Sequence, residues 1–228
     1  ELWVRDPESQ HSEKVYEVTD DHEPIYGRTY LPRKFKFGIA LPEDNCVDIY
    51  TQDLGLMAVV EENNVVGYNV LVGGSQGMTP AKKDTFPAIG HRMTFATTEQ
   101  LVAVCEAIVK VQRDFGNRAD RKYARMKYLI HNWGLPAFKA KVEEYYGGSL
   151  PDPHPTDITD VDDHIGWHEQ GDGRWFLGVN VENGRIKDEG SLRLKSALRV
   201  LLNRFGFDTR LTALQGFLLC DVEGSQRG

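Results

Sequence analysis

The chain contains no uninterrupted run of about 18 apolar residues, which excludes a membrane-spanning helix by length. It contains no basic-then-apolar leader, so secretion is not expected. Cysteine is scarce: Cys46, Cys105 and Cys220 are separated by gaps of 59 and 115 residues. That spacing gives neither a disulfide framework nor a metal-ligand motif. The expectation is a reducing, cytoplasm-like compartment, with Cys105 and Cys220 as core residues. There is no G-x-G-x-x-G and no Gly-Lys-Ser/Thr, so neither a dinucleotide fingerprint nor a phosphate loop is present. No nucleophile elbow and no Cys–His nucleophile signature appears.

What is present is 228 residues with 40% hydrophobic content, enough for one large domain or two smaller ones. Lys and Arg number 27 against 34 Asp and Glu, a net charge of −7, which argues against general nucleic-acid binding. The charge is polarised along the chain. Residues 110–127 hold seven basic residues and two acids, Asp114 and Asp120, whereas residues 151–173 hold seven acids and no Lys or Arg. Such asymmetry separates an anion site from a linker or partner-facing surface. The chain starts at Glu1 and ends in Gly224-Ser225-Gln226-Arg227-Gly228 without a clear element, so a piece of a longer protein is expected.

Residues 1–29 read as polar and irregular. Residues 34–41 alternate, with Phe35, Phe37, Ile39 and Leu41 on one face and Lys34, Lys36, Gly38 and Ala40 on the other, which predicts a strand. Residues 56–61 and 65–72 predict a hairpin turning at Asn63-Asn64 and running into Gly73-Gly74-Ser75-Gln76-Gly77. Thr97 and Gln100 form a capping box ahead of a helix with Leu101, Val104, Cys105, Ile108 and Val111 on one face and Gly116 as its stop. Further helices are predicted over 121–132 and from Pro136 to Tyr146. Residues 151–163, with Pro151, Pro153 and Pro155, read as a linker. Beyond it come a strand over 175–182, a turn at Asn183-Gly184, a returning strand over 185–187, a helix capped by Ser191, and strands at 211–212 and 217–222. The order predicts an α+β fold in two units, 1–150 and 164–228.

Four constellations could carry chemistry. Lys34 and Lys36, at i and i+2 on a strand, project from one face beside the small Gly38 and Ala40, so a flat ligand could lie there with two ammonium groups at its edge; Arg33 can fork onto a carboxylate. The bland alternative is a solvated lysine face guarding an edge strand. At the junction 112–122, Gly116 allows a left-handed cap, and Arg118 and Arg121 could hold acidic groups while Asp114 and Asp120 orient them; the alternative is a salt-bridge network without a ligand. Exposed backbone amides at Gly73-Gly74 could form an anion nest. His154, His164 and His168 lie among Asp157, Asp160, Asp162 and Asp163, but the prolines and Gly166 oppose a helix that would align them, so a solvated linker is expected rather than a metal site.

The long run from Glu23 through Tyr30-Leu31-Pro32-Arg33-Lys34-Phe35-Lys36 resembles the corresponding run of siroheme-dependent assimilatory sulfite reductases. So do Val47-Asp48 through Asp53-Leu54-Gly55, Gly67-Tyr68-Asn69-Val70-Leu71-Val72-Gly73-Gly74, and Gln112 through Lys122 into Tyr123-Ala124-Arg125-Met126-Lys127. Gly166-Trp167-His168-Glu169-Gln170-Gly171-Asp172-Gly173 is similar to the ferredoxin-dependent branch. The resemblance implies the nitrite/sulfite reductase fold, a mixed sheet-and-helix unit followed by a ferredoxin-like half-unit. It implies six-electron reduction of sulfite to sulfide on a siroheme coupled to a 4Fe–4S cluster, with ferredoxin as donor. By the same resemblance Lys34 and Lys36 face the substrate anion and assist proton delivery, and Arg33 pairs with siroheme carboxylates. Gly73, Gly74, Arg118 and Gln215 are the further cofactor-binding candidates, and no residue is assigned to a metal.

Two departures stand out. The family's C-x5-C and C-x3-C cluster motifs do not occur, so the resemblance implies cluster ligands in another part of the parent, with partner halves to complete the fold. In Thr212-Ala213-Leu214-Gln215-Gly216, where the family carries Asn-Gln-Asn, only Gln215 matches. Two rival readings remain open: nitrite as the main substrate, and a non-catalytic fragment that binds an anion or a tetrapyrrole.

Overall fold

The structure is a computed structural model that describes residues 2–6, 9, 11–16 and 22–227. Its first large sheet has the order β3-β4-β5-β6, built from Phe37–Ala40, Leu54–Glu61, Asn64–Val72 and His91–Thr97. β3 runs parallel to β4 and the other pairs are antiparallel. β4 is buried on both faces for most of its length, which explains why its sequence is apolar without alternation. The β4–β5 hairpin turns at Glu62 and Asn63, both at positive φ, one residue earlier than the expected Asn63-Asn64 turn.

Helices α1 (Thr98–Phe115), α2 (Met126–Trp133) and α3 (Leu135–Tyr146) close one face of this sheet. The capping box of Thr97 and Gln100 forms as expected. Val104, Ile108 and Val111 of α1 and Phe138 and Val142 of α3 meet Leu54, Leu56, Val70 and Val72 in one core. Phe138 is fully buried, and truncating it to alanine would cost roughly 3–5 kcal/mol. α3 is closed by Gly147 at φ 85°, whose amide donates to Glu143 O at 2.8 Å.

The second unit is a four-stranded antiparallel sheet of order β11-β12-β8-β7: Asp208–Leu211, Phe217–Val222, Trp175–Val179 and Gly166–Glu169. α4 (Leu194–Phe205) lays Leu194, Leu198 and Leu202 on Val181, Phe217 and Leu219. No helix among the described residues is long and apolar enough to cross a membrane.

Several expectations change. Within 1–29, Leu2–Arg5 (β1) and Ser12–Tyr16 (β2) form an antiparallel hairpin. The strand expected over 34–41 begins only at Phe37, and its faces are inverted: Gly38 and Ala40 are buried while Phe37, Ile39 and Leu41 are exposed. The cause is close packing of the chain on itself. A Cβ on Gly38 would lie 3.1 Å from Gln52 Cγ and 3.5 Å from Ile49 Cγ2, so this face takes small residues and has no room for a flat ligand. The helix expected over 121–132 splits into a 3-10 turn, Arg121–Tyr123, and α2, because Arg125 is extended between them. Gly116 ends α1 at φ −63° rather than in a left-handed cap; it is small because a Cβ would press on Pro32 Cγ at 2.6 Å.

In the second unit, β8 pairs with β7 and β12, and residues 185–187 join no strand. Ser191 does not cap α4. The adjoining hairpin of Asp188–Glu189 (β9) and Leu192–Arg193 (β10) supplies Asp188, which accepts from Ser196 N at 3.0 Å and Ser196 Oγ at 2.5 Å.

Residues 151–163 carry neither helix nor strand, but they lie as a strap over the sheet face opposite the helices. The buried Asn69 side chain donates to His154 O and Thr156 O, both at 2.9 Å, and accepts from His154 N at 2.7 Å. Arg92 donates to Thr156 O at 3.1 Å, Tyr50 donates to Asp157 Oδ1 at 2.5 Å, and Ile158 joins the small core of Ala40, Ile49, Met57 and Leu71.

Candidate functional site

Four of the seven basic residues of 110–127 and two from the segment ahead of β3 meet at one cleft of about 390 Å³. Arg33, Lys34, Arg121, Lys122, Arg125 and Lys127 line it, with Ser75, Gly77, Met78, Thr79 and Tyr128. Its one acid, Asp120, is already engaged: it accepts from Lys122 N at 2.9 Å and lies 3.7 Å from Lys82 Nζ. Arg33, Lys34, Arg121 and Lys122 outnumber that shared carboxylate, while Arg125 is paired with Asp53 and Lys127 is held by main-chain carbonyls, so the pocket is positive and suited to anionic ligands.

Three devices hold these cations. Phe35 tucks against the helix-side core, which leaves its neighbours Lys34 and Lys36 exposed. Asp53, 1% exposed, accepts from Lys36 N at 2.8 Å and receives Arg125 through Nε at 3.0 Å and Nη2 at 2.7 Å. Leu54 N then donates to Lys36 O at 3.1 Å, so the extended segment carrying the lysines is tied to the start of β4. Lys127 is 3% exposed and donates to Ser75 O at 3.2 Å, Gly77 O at 2.6 Å and Phe86 O. Burial, with Arg125 nearby, pushes its pKa down from the ordinary lysine value.

Of the sequence-derived candidates, the structure brings Arg33 and Lys34 into the cleft. Lys36 stands two residues further on and is not part of the lining. The nest reading of Gly73 and Gly74 does not hold. Gly73, Gly74 and Ser75 are buried, Gly73 N donates to Asp53 O at 2.9 Å, and Ser75 N donates to Ala88 O at 2.8 Å. Both glycines serve close approach instead: a Cβ on Gly73 would lie 2.8 Å from Ile130 Cδ1, and one on Gly74 would lie 2.6 Å from Gln52 O. Arg118 points its guanidinium at main-chain carbonyls, Thr29 at 3.0 Å, Tyr30 at 2.6 Å and Arg113 at 2.9 Å, and so clamps the 27–30 turn to the end of α1. Gln215 sits at φ 66° in the turn between β11 and β12, in the second unit.

Asp53, Arg125 and Lys127 were not singled out from the sequence. Arg125 and Lys127 lie in the basic run, which was the available signal; Asp53 stood only within the family-like run of 47–55, and its role depends on a contact 72 residues away. Burial pushes the thiols of Cys46 and Cys105 up to about 11, so neither is poised as a nucleophile at neutral pH. His154 bonds Thr156 and His168 stacks on Phe176, so the three histidines of 154–168 do not converge as a set.

Known proteins share this architecture. Residues 8–150 match the model of the nitrite and sulphite reductase 4Fe-4S domain, and residues 168–228 match that of the nitrite/sulfite reductase ferredoxin-like half domain. The sulfite reductase (ferredoxin) of Synechococcus elongatus is 43% identical over 92% of this chain and 34% of its own length. The sulfite reductase (NADPH) hemoprotein beta-component of Geobacillus thermodenitrificans is 41% identical over 100% of this chain and 39% of its own length. The solved structure of Mycobacterium tuberculosis NirA superposes with a TM-score of 0.67 at 26% identity, covering 86% of this chain and 34% of that one. The chain thus spans a little over a third of these relatives, and it belongs to the nitrite and sulfite reductase family.

Proposed function

We propose that the chain is the part of a siroheme-dependent sulfite reductase that supplies cations to the substrate anion and to the cofactor's carboxylates. The observation that carries this reading is the cleft in which Arg33, Lys34, Arg121 and Lys122 face one shared acid, Asp120, beside the Asp53-paired Arg125 and the buried Lys127. Siroheme is rich in carboxylates, and guanidinium and ammonium groups are their natural partners. The donor set therefore fits the group, and a cleft of about 390 Å³ suits a carboxylate-bearing edge of it. When bound, siroheme with its 4Fe–4S cluster would supply the electron path for six-electron reduction of sulfite to sulfide.

The chain's own residues would then act as follows. Arg33 holds carboxylates at the cleft. Lys34 and Lys36 attract the sulfite anion, stabilise charge developing on its oxygens and donate protons from Nζ. Arg118 positions the turn ahead of them, Gly73 lets the chain pass close to Ile130 and Lys127, and Gly74 lets it pass close to Tyr50 and Gln52. Gln215 would add a contact from the second unit. We assign residues 1–150 to the siroheme-binding unit, 151–163 to the connecting strap and 164–228 to a half-unit that pairs with another half elsewhere in the parent. Cys46 lies in the loop after β3, Cys105 on α1 and Cys220 on β12, a scattered set that supports placing the cluster ligands in another part of the parent. Ferredoxin as donor is supported by the Synechococcus relative, and a reducing compartment by the three free thiols.

The test is the full-length parent expressed with siroheme supply. A siroheme spectrum with sulfite turnover is expected, and Arg33→Ala should lower siroheme occupancy. A colourless full-length parent would overturn the reading in favour of a non-catalytic scaffold. Steady-state comparison of sulfite and nitrite, each with reduced ferredoxin and with NADPH, decides substrate and donor.

A further inference from the structure

Away from the basic cleft, Asp44, Cys46 and His164 bring one oxygen, one sulfur and one nitrogen within 4.8 Å of one another. Asp44 and Cys46 lie in the loop after β3, and His164 lies just before β7, so the three join the first unit to the start of the second. His164 Nε2 is 3.1 Å from the Asp44 carboxylate, and its other nitrogen, Nδ1, lies 3.5 Å from Asp162 Oδ2. All three ligand residues are partly buried. His164 holds a left-handed backbone at φ 61°, fixed in part by its amide donating to Asp162 Oδ1 at 2.8 Å. The loop and strap are already docked at this point, since Thr159 N donates to Pro42 O at 2.7 Å.

We propose that Asp44, Cys46 and His164 form a binding site for a borderline-soft divalent transition ion, of which zinc is the best fit, with water in the fourth position. Thiolate, imidazole and carboxylate are the three donor types zinc takes, and a tetrahedral site places donor atoms about 3.3–3.7 Å apart. The Asp44–His164 separation, 3.1 Å, falls just short of that range, so slight opening of this pair and closure around Cys46 bring the three donors to it. Binding releases the Cys46 proton. The resulting charges, two positive on the ion against one each on thiolate and carboxylate, cancel in a partly buried pocket. Asp162 Oδ2, 3.5 Å from Nδ1, is placed to serve as the outer carboxylate behind a metal-bound Nε2. The ion staples the 41–48 loop to the entrance of β7 and sets how the second unit leaves the first.

The test uses the full chain, stripped with chelator and titrated with Zn²⁺ against a chromophoric chelator, and in parallel with Co²⁺. One zinc per chain is expected, with a thiolate-to-cobalt charge-transfer band and the visible bands of a tetrahedral site. Cys46→Ser should remove the charge-transfer band, and Asp162→Asn should weaken zinc about 10- to 100-fold. His164→Ala should weaken it further, while its urea midpoint without metal, compared with that of the wild type, reports whether the variant is folded. If His164→Ala is unfolded, His164→Gln replaces it. A cobalt spectrum without the thiolate band, or zinc affinity unchanged in Cys46→Ser or the His164 variant, overturns the proposal. None of these readouts involves siroheme or sulfite, so the outcome is independent of the proposed reductase activity.

Discussion

Arg125 grips the buried carboxylate of Asp53 through two parallel hydrogen bonds, 3.0 and 2.7 Å long. The same carboxylate holds the amide of Lys36 at 2.8 Å, so one acid ties a cleft cation to the segment carrying the two lysines. Removing either partner leaves a charge stranded in a place with little water. Arg125→Ala should therefore cost roughly 3–5 kcal/mol, measured as a fall in the urea midpoint. Asp53→Asn together with Arg125→Met should cost less than the two single changes summed. Additive costs in that double-mutant cycle would show that the pair is not coupled.

In the full-length parent, Lys34→Ala or Lys36→Ala should slow sulfite turnover about a hundredfold while the siroheme spectrum stays largely intact. Full activity in either variant would remove that lysine from the substrate site. Since only Lys34 lines the cleft here, its substitution is expected to raise KM for sulfite more than that of Lys36.

Gly74→Ala separates a structural glycine from a ligand-binding one. Its Cβ would collide with the carbonyl oxygens of Tyr50 and Gln52, and overpacking of this kind costs about 1–3 kcal/mol. The loss should appear equally with and without siroheme. A variant of unchanged stability that loses only the cofactor would restore the anion-nest reading.

Lys127 makes stability depend on alkaline pH. Burial lowers its pKa first, and Arg125 adds to this. The folded chain then holds this proton less tightly than the unfolded one, so unfolding takes up protons and stability rises with pH. The window runs from the depressed folded value up to the ordinary 10.5. Urea midpoints of the wild type and Lys127→Met, compared across that window, should diverge in favour of the wild type as pH rises. A flat or falling difference would contradict the desolvated lysine.

Asn69 anchors the 151–163 strap. Asn69→Ala leaves two carbonyls and an amide without their partner and should cost about 1–3 kcal/mol. Limited proteolysis should then cut faster within 151–160. Equal cleavage rates would mean that the strap is held by other contacts.

The legible parts of this molecule were the local ones. The Thr97/Gln100 box, the apolar stripe of α1 and the bounds of Phe217–Val222 depend on neighbours a few residues away, and they appear as read. Alternation over 34–41 was visible but misleading about faces. Periodicity shows that two faces differ; it does not show which one the 3-10 turn of Ile49–Thr51 will cover. The cleft was half legible. Arg33 and Lys34 stood out, and so did the basic run, but the buried Asp53 that secures them did not.

Charge type and local periodicity alone determined that this chain is an α+β protein with a concentrated set of cations, because both are properties of short stretches of sequence. Only the tertiary structure decided that Lys127 is buried among carbonyls, that Arg118 spends its donors on the main chain, and that Asp44 and Cys46 meet His164. Those outcomes rest mainly on contacts between residues 41 to 120 positions apart, set by how the sheet, strap and helices pack.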